Sequence, residues 1–191
     1  MSKQEFDVKH KIIVSAKKLF SELGYDGTSV RKICDEAGVS LPLVSYHFGG
    51  KENVFLAILE QLSKLPYFPE TGDPKLDLQN YLEVYISFYR QERELSQIIR
   101  QELAMNSARS DKIISFIQAT TDKLKGILEN GRDKGVFKFE STSNNVRFIL
   151  GCLTMTFSKS EVLEILIGQT DSSNYPIEKE VFDFIYKAIR S

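Results

Sequence analysis

Apolar residues recur at helical spacing along nearly the whole chain. Ile12, Ala16, Leu19, Phe20 and Leu23 mark one stripe, and Gly24 follows it as a stop. Thr28 is the expected N-cap of a second helix that buries Val30, Ile33 and Ala37 and is broken by Gly38. Ser40 caps a third, short helix, with Pro42 in its first turn, where a missing N–H costs little. Val44 and Phe48 face inward one turn apart on it. Beyond Gly49-Gly50, a fourth helix carries Val54, Phe55, Ile58, Leu59, Leu62 and Leu65 on one stripe.

The pattern then changes. Residues 66–74 hold three of the five prolines and read as a linker. Helices are predicted near 75–92, 95–107, 110–132, 142–158, 159–168 and 176–190. Two of them are apolar on more than one face, through Tyr81, Leu82, Tyr85, Ile86, Phe88 and Tyr89 and through Phe148, Ile149, Leu150, Cys152, Leu153, Met155 and Phe157. A helix apolar all round is buried in a bundle, against a partner chain or around a ligand. No alternating strand pattern competes. The expected fold is all-α. Residues 1–52 form a three-helix unit, 53–74 a connecting helix and linker, and 75–191 a larger helical domain.

Composition narrows the chemistry. With 42% hydrophobic and 27% charged residues, the 191-residue chain has material for a real core and an ordinary polar surface. No run approaches a membrane span, and residues 1–7 lack the layout of a signal peptide, so a cytoplasmic location without membrane contact is expected. Cys34 and Cys152 fit buried thiols in a reducing cytosol better than a disulfide framework. The net charge of −1 hides a mild asymmetry: residues 1–51 carry +2 and the rest −3. That permits nucleic-acid binding at one end without requiring it. Catalysis finds no support. His10 and His47 are the only histidines, there is no Cys-x-x-Cys, and no phosphate-cradling glycine loop follows a strand. No metal site or cofactor is expected.

The segment Gly27–Glu52 has the layout of a helix-turn-helix that lays its second helix in the major groove of DNA. With Val44 and Phe48 used for packing, Leu41, Pro42, Leu43, Ser45 and Tyr46 are left to face outward. An outward Leu-Pro-Leu is a poor solvent face but suits thymine methyl groups. Ser45 and Tyr46 offer hydroxyls, and Lys51 places a charge at a helix N-terminus, where a phosphate is favoured.

The order Ile13…Ala16…Leu19-Phe20…Gly24-Tyr25…Thr28-Ser29…Ile33…Ala37-Gly38-Val39-Ser40…Tyr46-His47-Phe48…Lys51-Glu52 resembles the N-terminal domain of the tetracycline-repressor (TetR) family of bacterial transcription regulators. The resemblance covers roughly residues 9–60. Beyond residue 66 only length, helical pattern and domain order agree. The resemblance implies that Val30 and Arg31 open a helix abutting the DNA backbone. It implies that Leu41, Pro42 and Leu43, in the helix headed by Ser40, look into the groove. Ser45, Tyr46, His47 and Lys51 then lie at phosphate-contacting positions. Two departures stand out: Ser45 where many members carry tyrosine, and Leu41 where many carry Lys or Arg. The first weakens that phosphate contact or moves it to Tyr46; the second removes a possible guanine reader and leaves more contact with thymine methyls. Tyr25 is expected to pack the turn after the first helix.

The expected function is a ligand-responsive, homodimeric DNA-binding regulator, a repressor that binds a palindromic operator and is released by a small apolar effector. The dimer face is expected on the helices 142–158 and 176–190, and in the latter Val181, Phe182, Ile185 and Ile189 form an apolar stripe. Phe88, Met105, Phe116, Phe148, Cys152 and Met155 are the expected wall of an effector cavity, with Arg100 as its polar anchor. Glu102 and Arg147 also interrupt apolar helices, for which a salt bridge is the commoner fate. Two rivals stand beside this reading: a helical small-molecule-binding protein or enzyme with a non-functional DNA head, and an architectural DNA-binding protein without an effector.

Overall fold

The computed structural model describes residues 3–64, 70–157, 165, 166, 168 and 176–190. Its helices are α1 (Lys3–Gly27), α2 (Val30–Ala37), α3 (Leu41–Phe48), α4 (Lys51–Leu59), α5 (Pro74–Gln91), α6 (Arg93–Ala104), α7 (Ser110–Asp133), α8 (Thr142–Thr156) and α9 (Ile177–Ile189), with a 3-10 turn over Glu60–Lys64. An isolated antiparallel bridge joins Phe137 and Arg190. The helix expected over 159–168 lies largely outside the described residues, as do Leu65 and residues 66–69 of the linker. Among the described residues, no helix is long and apolar enough to cross a membrane.

The chain divides into two compact units. One comprises Met1–Lys64 with Glu94–Phe116, the other Leu65–Arg93 with Ile117–Ser191. The division drawn from the sequence at 52 and 74 follows the chain, whereas the compact units do not. The second half of the chain returns 94–116 to the first unit, where Leu95, Ile98 and Ile113 are buried.

In the first unit, α1 packs on α2 and α4, and α3 on both α2 and α4. Ile12, Ala16, Phe20, Ile33, Val44, Val54, Phe55 and Ile58 are fully or almost fully buried. Gly24 takes a non-helical conformation (φ 72°, ψ 170°) inside α1, so the regular helix stops where the sequence placed its stop. Thr28 does not cap α2. It is buried, and its hydroxyl donates to the Gly24 and Leu19 carbonyls at 2.9 and 3.2 Å. Those carbonyls are left over at the end of the helix and need donors. Ser29 is the cap instead, accepting from the Lys32 N–H at 3.2 Å. Gly38 (φ 64°) and Gly49 (φ 75°) end α2 and α3 in the left-handed region that favours glycine. Between them α3 is held to eight residues.

In the second unit, α5 packs on α8 and α9, and α8 on α9. Asp73 caps α5, accepting from the Lys75 and Leu76 N–H groups. Leu78, Tyr81, Leu82, Ile86, Leu124, Leu128, Phe137, Ile149 and Leu153 form the core. Phe137 closes it after α7, donating from its backbone to the Gly131 carbonyl at 3.0 Å. Val181, Ile185 and Ile189 belong to this same core. The stripe expected between subunits is therefore turned into its own chain, and Phe182 is half-buried beside it, stacked on Tyr186 at 5.6 Å. A stripe of this kind demands burial but does not say against what.

Candidate nucleic-acid interface

α3 shows which of its residues the fold leaves outside. Val44 is buried, and Leu43, His47 and Phe48 are half-buried. Leu41 (54% exposed) and Tyr46 (75% exposed) stand out with Pro42 and Ser45 on one face, at positions i, i+1, i+4 and i+5. The Tyr46 ring meets His47 edge-on at 5.0 Å. Ser40 occupies the cap position in an extended conformation (φ −79°, ψ 150°), but its hydroxyl makes no capping hydrogen bond and is exposed. At the start of α2, Arg31 is exposed and Val30 half-buried. The Lys32 ammonium is turned back onto the Gly27 carbonyl at 2.9 Å. An exposed Leu-Pro with a tyrosine on a short, tightly bounded helix is a surface shaped to meet something apolar and hydroxyl-binding at once.

Lys51 does more than expected. It does open α4, but its ammonium donates to the Tyr25 and Thr28 carbonyls, both at 2.9 Å, and lies 3.9 Å from the centre of the Tyr25 ring. Two of its three donors are thus taken by the chain itself. The side chain braces the turn after α1 and keeps one donor for the phosphate contact expected of it. Tyr25 fills the turn as expected. Its ring stacks on Phe20 at 5.4 Å and meets Phe55 edge-on at 5.3 Å. Burial pushes its phenol up.

The residues expected to wall an effector cavity are divided between the two units. Arg100, Met105 and Phe116 fall in the first unit, and Phe88, Phe148, Cys152 and Met155 in the second. Met105 (70% exposed), Phe148 (67%) and Met155 (52%) are solvent-facing. Phe88 and Cys152 are half-buried, Phe88 edge-on to Tyr89 at 5.6 Å. In the second unit a row of tyrosines lies in or against the core, besides the buried Asp77. Tyr81, Tyr85 and Tyr89 recur every four residues along α5, with Tyr81 and Tyr85 stacked at 4.4 Å. Burial pushes the Tyr81 phenol far up and that of Tyr89 up to about 12. Burial also raises Tyr85. Thr120 and Tyr81 lie close enough to ease that shift, yet the buried Tyr85 hydroxyl makes no hydrogen bond of standard geometry. The i, i+4, i+8 spacing was visible in the sequence, but read there only as general apolar content.

Comparison with known proteins bears on the first unit most sharply. The family model described as bacterial regulatory proteins, tetR family, matches residues 12–58, which span most of α1 through α4. Residues 12–58 thus carry the N-terminal region shared by the TetR family. It is 27% identical over 126 residues to the HTH-type transcriptional regulator RutR of Escherichia coli K12, a match covering 63% of this chain and 59% of RutR. It is 38% identical over 53 residues to the HTH-type transcriptional repressor AcnR of Corynebacterium glutamicum, covering 28% of each. The chain thus spans less than two thirds of these curated relatives. Among solved structures, HlyIIR, described as a hemolysin II transcriptional regulator, superimposes with a TM-score of 0.80 at 27% identity, over 98% of this chain and 99% of that one. The likeness in fold therefore extends through the second unit, where the sequence carries no family motif.

Proposed function

We propose that this TetR-family chain is a DNA-binding transcription regulator, a repressor that reads a palindromic operator as a homodimer and answers to a small-molecule effector in the cytoplasm. The observation that carries the reading is the outer face of α3, where Leu41, Pro42, Ser45 and Tyr46 are exposed while Val44 anchors the helix from behind. Leu41, Pro42 and Leu43 meet base edges, chiefly thymine methyls. Tyr46, Ser45, Ser40, His47 and the start of α2 at Val30 and Arg31 meet the phosphate backbone. One eight-residue helix buries too little to be both tight and specific. Two copies ~34–36 Å apart solve this by reading successive turns of one duplex face.

The dimer face moves from the buried stripe of α9 to the outer surface of α8 and α9. Phe148, Gly151 and Met155 share one side of α8, and Phe184 (67% exposed) and Ala188 share one side of α9. Exposed aromatics beside small residues are what a packed helical interface requires. The effector site moves from the Phe/Met wall to the tyrosine ladder of α5. One buried and two half-buried phenols in and against the apolar core are the orienting polar groups that such a pocket needs. A ligand seated there shifts α5 and changes the spacing of the two reading heads, for which a coupling of ~1–3 kcal/mol suffices.

The test is a pair of substitutions on α3. Tyr46→Ala is expected to weaken binding to all duplexes and to flatten its salt dependence, because a phosphate contact is lost. Leu43→Ala is expected to change base preference, costing about 1–3 kcal/mol at one position of the site. Unchanged affinity and preference in both variants would show that α3 is not the reading face.

A further inference from the structure

Outside the helix-turn-helix, the first unit holds a buried charge cluster at the turn between α6 and α7. Glu102 is buried, and one of its carboxylate oxygens accepts from Arg109 Nε at 2.8 Å and from the Ser107 hydroxyl. The Ser110 hydroxyl donates to the Glu102 carbonyl at 3.1 Å. Asn106 sits between them in the left-handed region (φ 47°), which asparagine accepts more readily than most residues. The Arg109 side chain, 18% exposed, then leaves its own turn. It lies 3.8 Å from the centre of the Tyr25 ring, 6.0 Å from that of Phe55 and 3.7 Å from Asp26. Tyr25 is also the ring against which Lys51 lies, and its carbonyl receives the Lys51 ammonium. Lys51 is the first residue of α4, directly after the two glycines that end α3. An unbroken series of contacts runs from Glu102 through Arg109 and Tyr25 to Lys51 at the α3–α4 junction.

We propose that Arg109 is a positioning residue for DNA recognition. By clamping the Tyr25 turn from outside the helix-turn-helix, it fixes the junction from which α3 is hung, and hence the angle at which Leu41, Pro42 and Tyr46 are presented. The proposal rests on the DNA-binding reading of α3. Arginine suits the task because its planar fork donates to a carboxylate in one plane while stacking on a ring with its face; lysine does not combine the two. The cluster is costly to bury, and a pair of apolar residues would hold the turn at less expense. What the ion pair adds is one defined geometry. The Arg109 Nε is committed to Glu102 and its face to Tyr25, with Asp26 3.7 Å from a terminal nitrogen, so the side chain is held inward at the turn.

The experiment measures affinity for a palindrome selected by the unmodified protein, across a range of salt, at a temperature where each variant is folded by circular dichroism. Arg109→Gln is expected to lower affinity about tenfold with the slope of log K against log salt unchanged. That is the signature of a reading head whose competent conformation has become a minor population. Glu102→Gln, which keeps the shape of the side chain, is expected to lower affinity less. Arg109→Gln combined with Glu102→Gln is expected to recover part of the loss, because no unpaired carboxylate is left buried. If Arg109→Gln folds poorly, Glu102→Gln carries the same test. Full affinity in the folded variants would overturn the proposal, and so would a slope reduced by about one, which marks a direct phosphate contact. Failure of the unmodified chain to select any palindrome would instead sink the DNA-binding reading, and this proposal with it.

Discussion

Replacing Lys51 by methionine separates two accounts of the same residue. The substitution keeps most of the aliphatic stem and removes the ammonium. The structure assigns that ammonium two hydrogen bonds, to the Tyr25 and Thr28 carbonyls, and a place 3.9 Å from the Tyr25 ring centre. A hydrogen bond from a charged donor contributes about 1.5–3 kcal/mol, and a cation over a ring about 0.5–2 kcal/mol. Lys51 is half-exposed, so water takes over part of each contact and the sum falls toward the low end. A loss of about 2–4 kcal/mol follows, which lowers the melting temperature of a chain this size by about 5–15 °C. If Lys51 served only as a phosphate contact, the free protein would melt within the scatter of a surface substitution, about 0.5 kcal/mol. The salt slope of DNA binding would instead fall by about 0.9. Calorimetric melting of the free protein, with DNA titration at several salt concentrations, reads both quantities. An unchanged melting temperature with a reduced slope would refute the bracing role.

Other substitutions test other parts of the account. Phe148→Glu with Phe184→Glu is expected to yield a folded monomer by light scattering, since charge is placed on the proposed subunit face; a double variant that remains dimeric would reject that face. Val181→Glu is expected to unfold the chain rather than merely split a dimer, because it puts an unpaired charge into the core of its own chain; a folded monomer would restore the buried stripe as an interface. Gly131→Ala is expected to cost about 1–3 kcal/mol in urea unfolding by overpacking, because the added methyl would lie 2.0 Å from the Phe137 ring; no loss would mean that the ring has room to turn away. Thr28→Val is expected to cost about 1–3 kcal/mol, as it strips the hydroxyl from two helix-end carbonyls, and an unchanged unfolding midpoint would count against the buried hydrogen bonds.

The sequence was most informative where local rules decide the outcome. Glycines at 24, 38 and 49 end helices because few other residues accept those conformations, and the bounds of α2 and α3 follow from them. The outward set on α3 was legible because one inward residue, Val44, fixes the face of a two-turn helix. Adjacent hydroxyls were not separable: Thr28 and Ser29 both suit a cap, and only the fold shows that Thr28 turns inward to the carbonyls left by α1. Lys51 was legible only in part for the same reason. A lysine at a helix start announces a charge, but not that a tyrosine carbonyl from 26 residues earlier lies beside it. Amphipathic stripes in the second unit announced burial without naming the partner, so Val181, Ile185 and Ile189 were placed between subunits while Phe148 and Met155 were placed inside. Glu102 was visible as an interruption in an apolar helix. Its partner Arg109 was not, because the turn between α6 and α7 carries no periodicity that would bring the two together.

Selection of bound duplexes from a random DNA pool tests the central claim most directly. The account predicts enrichment of a palindrome whose half-sites lie about one helical turn apart, rich in thymine where Leu41, Pro42 and Leu43 reach, and bound by two copies of the chain. Recovery of no preferred sequence, or of a single asymmetric site bound by one copy, would contradict it.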